Sequence, residues 1–277
     1  MRLAISNIAW DVHEDENVVT LLQRFGVDAI DIAPGKYFPE PARASIAEVH
    51  RVKLWWSDRG IQITGMQALL FGTAGLNVFG PPDIQSALLH HMTAICRIGA
   101  ELGATRLVFG SPRNRDRAGL SDEQAITEGV AFFSRLGDIA LSHGVMICLE
   151  PNPSCYGANF MTTSAETAFI VQSTDHPAIR MQLDTGALAI NGESMETVLQ
   201  KYASVIGHVH ASEPNLVPLG DVGTDHVALH RLMTTYIPGH LVSIEMLATK
   251  DEPHIVAIER ALACAVRCYC PAKDSRP

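Results

Sequence analysis

Four stretches decide how this chain reads: Met146-Ile147-Cys148-Leu149-Glu150, Met181-Gln182-Leu183-Asp184, Ile206-Gly207-His208-Val209-His210 and Leu241-Val242-Ser243-Ile244-Glu245. Each is a short, largely apolar run that ends on an ionisable side chain. Continuous apolar runs, as opposed to alternating ones, suit strands covered on both faces in a parallel sheet. Ending four such strands on Glu, Asp, His and Glu needs a reason, because a buried carboxylate costs several kcal/mol unless it is paired or metal-bound.

Working outward, the same kind of run recurs on the N-terminal side. The expected strands are Arg2–Ile8, Ala29–Ile32, Gln62–Gln67, Arg106–Phe109, Val145–Leu149, Arg180–Leu183, Ile206–His210 and Val242–Met246. Helical patterns lie between them: Asn17–Arg24 before Gly26, Ile84–Leu102 before Gly103, Asp122–Ser142 before Gly144, Ser164–Ser173, Met195–Tyr202 and His254–Val266. Glycine just past the last periodic residue is a helix stop, and Ser121 with Gln124 reads as a capping box. Eight strands, each followed by a helix or by a loop that can hold one, predict a single-domain α/β protein: a closed (β/α)₈ TIM barrel over residues 1–270 with a loose tail over 271–277. A doubly wound open sheet is the alternative. It is weakened by the lack of a G-x-G-x-x-G after an early strand and of a Gly-rich phosphate loop.

The bulk numbers agree. At 277 residues the chain has the length of one such barrel, with 47% hydrophobic and 18% charged residues. The net charge of -9 repels a phosphate backbone, and Asp116 interrupts the densest basic stretch, Arg113 to Arg117, so no nucleic-acid partner is expected. No signal core or membrane-spanning run is read, which predicts a cytoplasmic protein with no membrane partner. A homo-oligomer stays open. Cys264, Cys268 and Cys270 are spaced C-x₃-C-x-C, which suits free thiols better than a structural zinc.

In a barrel the C-terminal strand ends converge on one mouth. There Glu150, Asp184, His210 and Glu245 would repel one another unless a cation sat among them. One divalent ion answers that, and three oxygen donors with one imidazole suit Mn²⁺, the favoured ion, or Mg²⁺, Co²⁺ or Zn²⁺. Taken singly, a strand-end acid can instead cap a helix or pair with arginine. His208 is expected to face the barrel interior as a group orienting a ligand, or as a core histidine. Glu213 reads as a histidine partner or substrate contact, against a solvated loop acid by default. Arg113 and Arg115, after the fourth strand, can meet a substrate phosphate or carboxylate, or pair with surface acids. Trp10, His13 and Gln67 follow the first and third strands and can line the same mouth.

At these residues the chain resembles the sugar phosphate isomerase/epimerase superfamily, the xylose-isomerase-like barrels, over nearly its whole length. The most specific parts are Leu149-Glu150-Pro151-Asn152-Pro153, Leu183-Asp184-Thr185-Gly186, His208-Val209-His210-Ala211-Ser212-Glu213 and Ser243-Ile244-Glu245. Their order is similar to the ketose 3-epimerase branch. That resemblance implies one metal on Glu150, Asp184, His210 and Glu245, with Glu150 and Glu245 as the bases that remove and return a proton beside a carbonyl through a metal-stabilised enediolate. Three positions depart from the branch. Ala187 stands where it has a histidine, Tyr156 where it has a substrate-binding glutamate, and Leu216 where it has an arginine. The expectation is a metal-dependent isomerase or epimerase of a sugar or polyol-like substrate, with Glu150 and Glu245 catalytic and His208, Glu213, Arg113, Tyr156 and Trp10 as substrate contacts. The alternatives are a lyase resembling inosose dehydratase and a metal-binding barrel that binds sugar without catalysis.

Overall fold

The structure, a computed structural model, describes residues 1–271. Eight strands close into one barrel in chain order. They are β1 Leu3–Ser6, β2 Ala29–Ile32, β3 Gln62–Met66, β4 Arg106–Phe109, β5 Met146–Leu149, β6 Ile179–Asp184, β7 Ile206–Ser212 and β8 Val242–Glu245. Every neighbouring pair is parallel, and β1 closes on β8 with Leu3 opposite Val242 and Ile5 opposite Ile244. Helices α1 Asp15–Phe25, α2 Ile46–Ser57, α3 Pro82–Leu102, α4 Asp122–Ser142, α5 Ser164–Thr174, α6 Thr185–Asn191, α7 Met195–Tyr202, α8 His226–Tyr236 and α9 His254–Tyr269 surround it.

The helix ends follow local chemistry. Ser121 accepts from the Gln124 backbone at the start of α4, with Gln124 reaching back, and Ser45 with Glu48 does the same for α2. At the end of α3, Gly103 takes the left-handed conformation at φ 84° that a side chain would resist. The apolar faces of the helices pack on the outside of the strands, with Trp56, Phe132, Phe133 and Leu262 wholly buried.

Three differences from the sequence expectation matter. Helices α2, α6 and α8 were not expected. The first strand stops at Ser6, because the Ser6 hydroxyl accepts from Ile8 and turns Asn7–Ala9 into a short 3₁₀ segment. Strands β6 and β7 run on through Asp184 and Ser212, which places Asp184 opposite His210 and Ser212 opposite Glu245. The tail expected over residues 271–277 lies, apart from Pro271, outside the described residues. Among the described residues no helix is long and apolar enough to cross a membrane, and the six cysteines are free.

Candidate active site

The strand ends β5 to β8 bring Glu150, Asp184, His210 and Glu245 together. One ligand atom from each lies within 4.8 Å of the others, and all four side chains are buried or nearly so. His210 Nδ1 faces the carboxylates, 3.2 Å from Glu245 Oε2 and 3.6 Å from Glu150 Oε1.

Each carboxylate is held by its other oxygen. Asn152 Nδ2 donates to Glu150 Oε2 at 3.1 Å, and Gln67 Nε2 donates to Glu245 Oε1 at 2.5 Å from across the barrel. Asp184 caps α6, accepting from the Ala187 backbone at 2.6 Å, and its second oxygen accepts from Ser212 Oγ at 2.7 Å. The positive end of that helix favours the charged carboxylate. Behind Asn152, Arg115 Nη2 donates to Asn152 Oδ1 at 2.6 Å. Arg115 is wholly buried, and its Nε and Nη1 find no partner among the described residues.

The electrostatics are strained. Burial, then the charges of Glu245 and Glu150, push Asp184 up to about 8. Burial alone would lower His210, but the charge of Glu245 and hydrogen bonds that the ring donates to both glutamates hold it well above its ordinary value. Burial raises Glu245, and the charge and hydrogen bond of His210 more than reverse it. Three carboxylates around one imidazole stay anionic as a set even when His210 is protonated. That donor set fits a divalent cation, whose charge removes the repulsion that keeps a proton on Asp184.

Beside the four residues lies a cavity of about 270 Å³ that Glu150, Asp184, Glu245, Tyr156, Glu213 and Leu216 help to line. Glu213, expected by default to be a solvated loop acid, is instead fully buried. It accepts from the Gly220 backbone at 2.9 Å and from the Thr224 hydroxyl, with His226 Nε2 at 3.3 Å, so the loop after β7 folds back over it. The Tyr156 hydroxyl accepts from the Asn215 backbone at 2.9 Å, tying the loops after β5 and β7 together.

Two expected substrate contacts sit elsewhere. Trp10 is wholly buried with Nε1 donating to Asp15 Oδ1 at 2.7 Å, because the 3₁₀ turn before it rotates the ring into the core. His208 lies two residues down β7 from His210, and its Nε2 meets Asp31 Oδ2 at 2.7 Å inside the barrel. It faces away from the cavity at the C-terminal mouth and lines a different one. Arg113 is exposed in the loop after β4, and His13 is exposed after β1.

Sequence reasoning gave no part to Asn152, Ser212, Gly110 and Asp31. Asn152 alone left a local signal, two residues after Glu150. Ser212 and Asp31 reach their partners across 28 and 177 residues of chain.

Solved structures with the same fold include D-psicose 3-epimerase from Clostridium cellulolyticum H10 with D-tagatose, at 18% identity, TM-score 0.81, covering 97% of this chain and 99% of that one. The 3-keto-D-glucoside 4-epimerase of E. coli matches at 16% identity and TM-score 0.76, covering 95% and 100%. The IolI protein, solved with a bound zinc atom, matches at 17% identity and TM-score 0.75, covering 99% and 100%. No curated protein matches the sequence. The model of the xylose isomerase-like TIM barrel family matches residues 19–265, and the chain belongs to that family.

Proposed function

We propose that this protein is a divalent-metal-dependent isomerase or epimerase that moves a proton next to the carbonyl of a sugar or polyol-like substrate. The observation that supports it best is the matched state of Glu150 and Glu245. Each gives one oxygen to a neutral amide, Asn152 or Gln67, and turns the other toward His210. A carboxylate anchored by one oxygen is a base with fixed orientation, and two of them beside one small cavity can serve two faces of one carbon. In this reading Glu150, Asp184, His210 and Glu245 hold the ion, Mn²⁺ first and Mg²⁺, Co²⁺ or Zn²⁺ otherwise. When bound, the ion supplies Lewis acidity that draws charge from a substrate carbonyl and makes the adjacent C–H acidic. Glu150 and Glu245 then take a proton from one face and return one to the other. Tyr156 contacts the substrate from the wall, Glu213 holds the loop after β7 in place beside it, and Arg113 reaches it from the rim.

The test is solvent exchange. Purified enzyme with Mn²⁺ is incubated in D₂O with a panel of ketoses, keto-glycosides and inososes, and proton NMR follows the C–H beside each carbonyl. Deuterium entering that position, with an epimer or isomer appearing, is the expected result. A dehydrated product would make the protein a lyase. A sugar that binds without any exchange would make it a binding protein.

A further inference from the structure

A second cavity, of about 880 Å³, opens at the opposite end of the barrel. Gln62, Arg106, Gly207 and Leu241 line it, so it lies where the strands begin, with the His208 and His210 rings, 5.2 Å apart between centroids, separating it from the carboxylate cluster at the strand ends. Its wall carries Arg2, Arg106, His208 and His240, and no described residue lining it is an Asp or Glu. This is unusual in a chain with 30 acidic residues and a net charge of -9.

Two arginines at this end lack counter-charges, Arg106 on the wall and Arg180 beside it. Arg106 is half-buried and spends its bonds on neutral acceptors, Nε on the Gly207 carbonyl at 3.0 Å and Nη1 on Thr105 Oγ1 at 3.0 Å. Arg180, whose Cβ packs beside Gly207, bonds only the Ser204 carbonyl among the described residues. Among the described residues neither guanidinium forms an ion pair. Arg2 shares Asp28, which is exposed outside. The acid beneath the cavity floor, Asp31, is already taken by His208 and by Thr64 Oγ1 at 3.0 Å. A guanidinium partly withdrawn from water and left without an anion is unfavourable, and its planar fork suits a phosphate or carboxylate. The volume lies within the range of small-molecule sites, roughly 300–1,000 Å³.

We propose that this N-terminal mouth binds a small, multiply charged oxyanion, a phosphorylated or polycarboxylate metabolite, at a site separate from the catalytic cavity. Arg106 is its main anchor, with the Thr105 and Ser204 hydroxyls as further donors. The end of a (β/α)₈ barrel where the strands begin ordinarily serves stability alone, so a ligand there leaves the catalytic mouth free.

Calorimetric titration with inorganic phosphate and with succinate tests this on the full chain at fixed ionic strength, metal-loaded for every protein except Asp184→Ala. The variants are Arg106→Gln, Thr105→Glu and Asp184→Ala. Expected is saturable binding of at least one anion to the wild type and to Asp184→Ala, weakened at least about tenfold in Arg106→Gln and abolished in Thr105→Glu. Thr105 is exposed, so Thr105→Glu carries the test should Arg106→Gln fail to fold. Tighter phosphate would mark a phosphorylated ligand, and tighter succinate a polycarboxylate. No saturable binding of either anion would overturn the proposal. So would unchanged binding in Thr105→Glu, or loss of binding in Asp184→Ala, which would place the anion at the catalytic mouth.

Discussion

Gly110 stands where any side chain would strike Glu150: a Cβ built on it overlaps Oε2 and comes within 3.0 Å of Cδ. Phe109 and Leu149 are register partners, so the residues that follow them lie side by side at the barrel mouth. Gly110→Ala therefore displaces the Glu150 carboxylate. Overpacking of this kind costs about 1–3 kcal/mol, which a chain of this size survives. The expected outcome is a folded protein whose Mn²⁺ affinity falls at least about tenfold, read by calorimetry. Wild-type affinity in that variant would mean Glu150 does not bind metal from this position.

The metal-free protein should lose stability as pH rises. Asp184 is pushed from the ordinary 3.8 up to about 8, by burial and then by Glu245 and Glu150. Between those values the folded chain keeps a proton that the unfolded chain has released. Its stabilising effect is fully present below the ordinary value and is lost as pH rises through about 8. His210, held high by its glutamates, acts in the same direction. Metal ligands must be deprotonated to bind, so Mn²⁺ affinity should rise over the same window with protons released. Thermal unfolding at about pH 6 and about pH 9, with chelator and with Mn²⁺, checks both signs. A chelated protein no less stable at the higher pH would contradict the assignment.

Free ketohexoses should be poor substrates. Ala187 and Leu216 put apolar groups on the cavity wall, and Tyr156 has its hydroxyl occupied by the Asn215 backbone. Each lost hydrogen-bonding group in a polar site typically costs ~1–3 kcal/mol. Turnover of D-fructose, D-psicose and D-tagatose at millimolar concentration should therefore stay far below that of the preferred substrate in the exchange panel. Efficient epimerisation of any of the three would show that other groups grip the hydroxyls.

Much of this site was legible in the sequence, and the reason is local. Glu150, Asp184, His210 and Glu245 each close an apolar run, so their convergence needs only the barrel and the rule that strand ends share a mouth. Helices α2, α6 and α8 carry weaker local signals. Helix α6 follows β6 with no loop, so Leu188-Ala189-Ile190 reads as apolar without a helical period. Helix α2 buries only Val49 and Trp56, and α8 only His226 and Met233. Contacts across the barrel left no local trace. Gln67 reaches Glu245 over 178 positions. Glu213 looked solvated because Gly220, Thr224 and His226, which bury it, arrive from a loop that folds back.

Arg115 and Asn152 should act on Glu150 as one unit. Arg115 holds Asn152, and Asn152 holds Glu150. Arg115→Met keeps most of the bulk and removes the guanidinium, freeing Asn152 to turn away. A turnover loss of about tenfold is expected for Arg115→Met and for Asn152→Ala, with no further loss when they are combined, because both break the same chain of bonds. Additive losses in the double variant would show that Arg115 acts on the site independently of Asn152.

Glu150 and Glu245 are each assigned two tasks, holding the ion and moving protons, and glutamine separates them. An amide keeps an oxygen that can coordinate but does not accept a proton near neutral pH. Glu150→Gln and Glu245→Gln should keep the fold and part of the metal, measured by elemental analysis, while turnover drops at least ~10²-fold, the low end for general acid–base catalysis. In D₂O the two variants should differ. With one base on each face, each variant still exchanges the C–H of the epimer whose proton faces the surviving glutamate, while interconversion of epimers stops. A one-base mechanism would instead leave one variant dead for all exchange. The partners beside each glutamate bear on the comparison, since Gln67 and Asn152 donate to the carboxylates through their NH₂ groups. A glutamine has a single oxygen, which either accepts that bond or faces the ion, so turnover is compared at equal metal occupancy and the loss that remains reports the lost base. Near wild-type turnover in either variant would leave that glutamate, at most, a ligand.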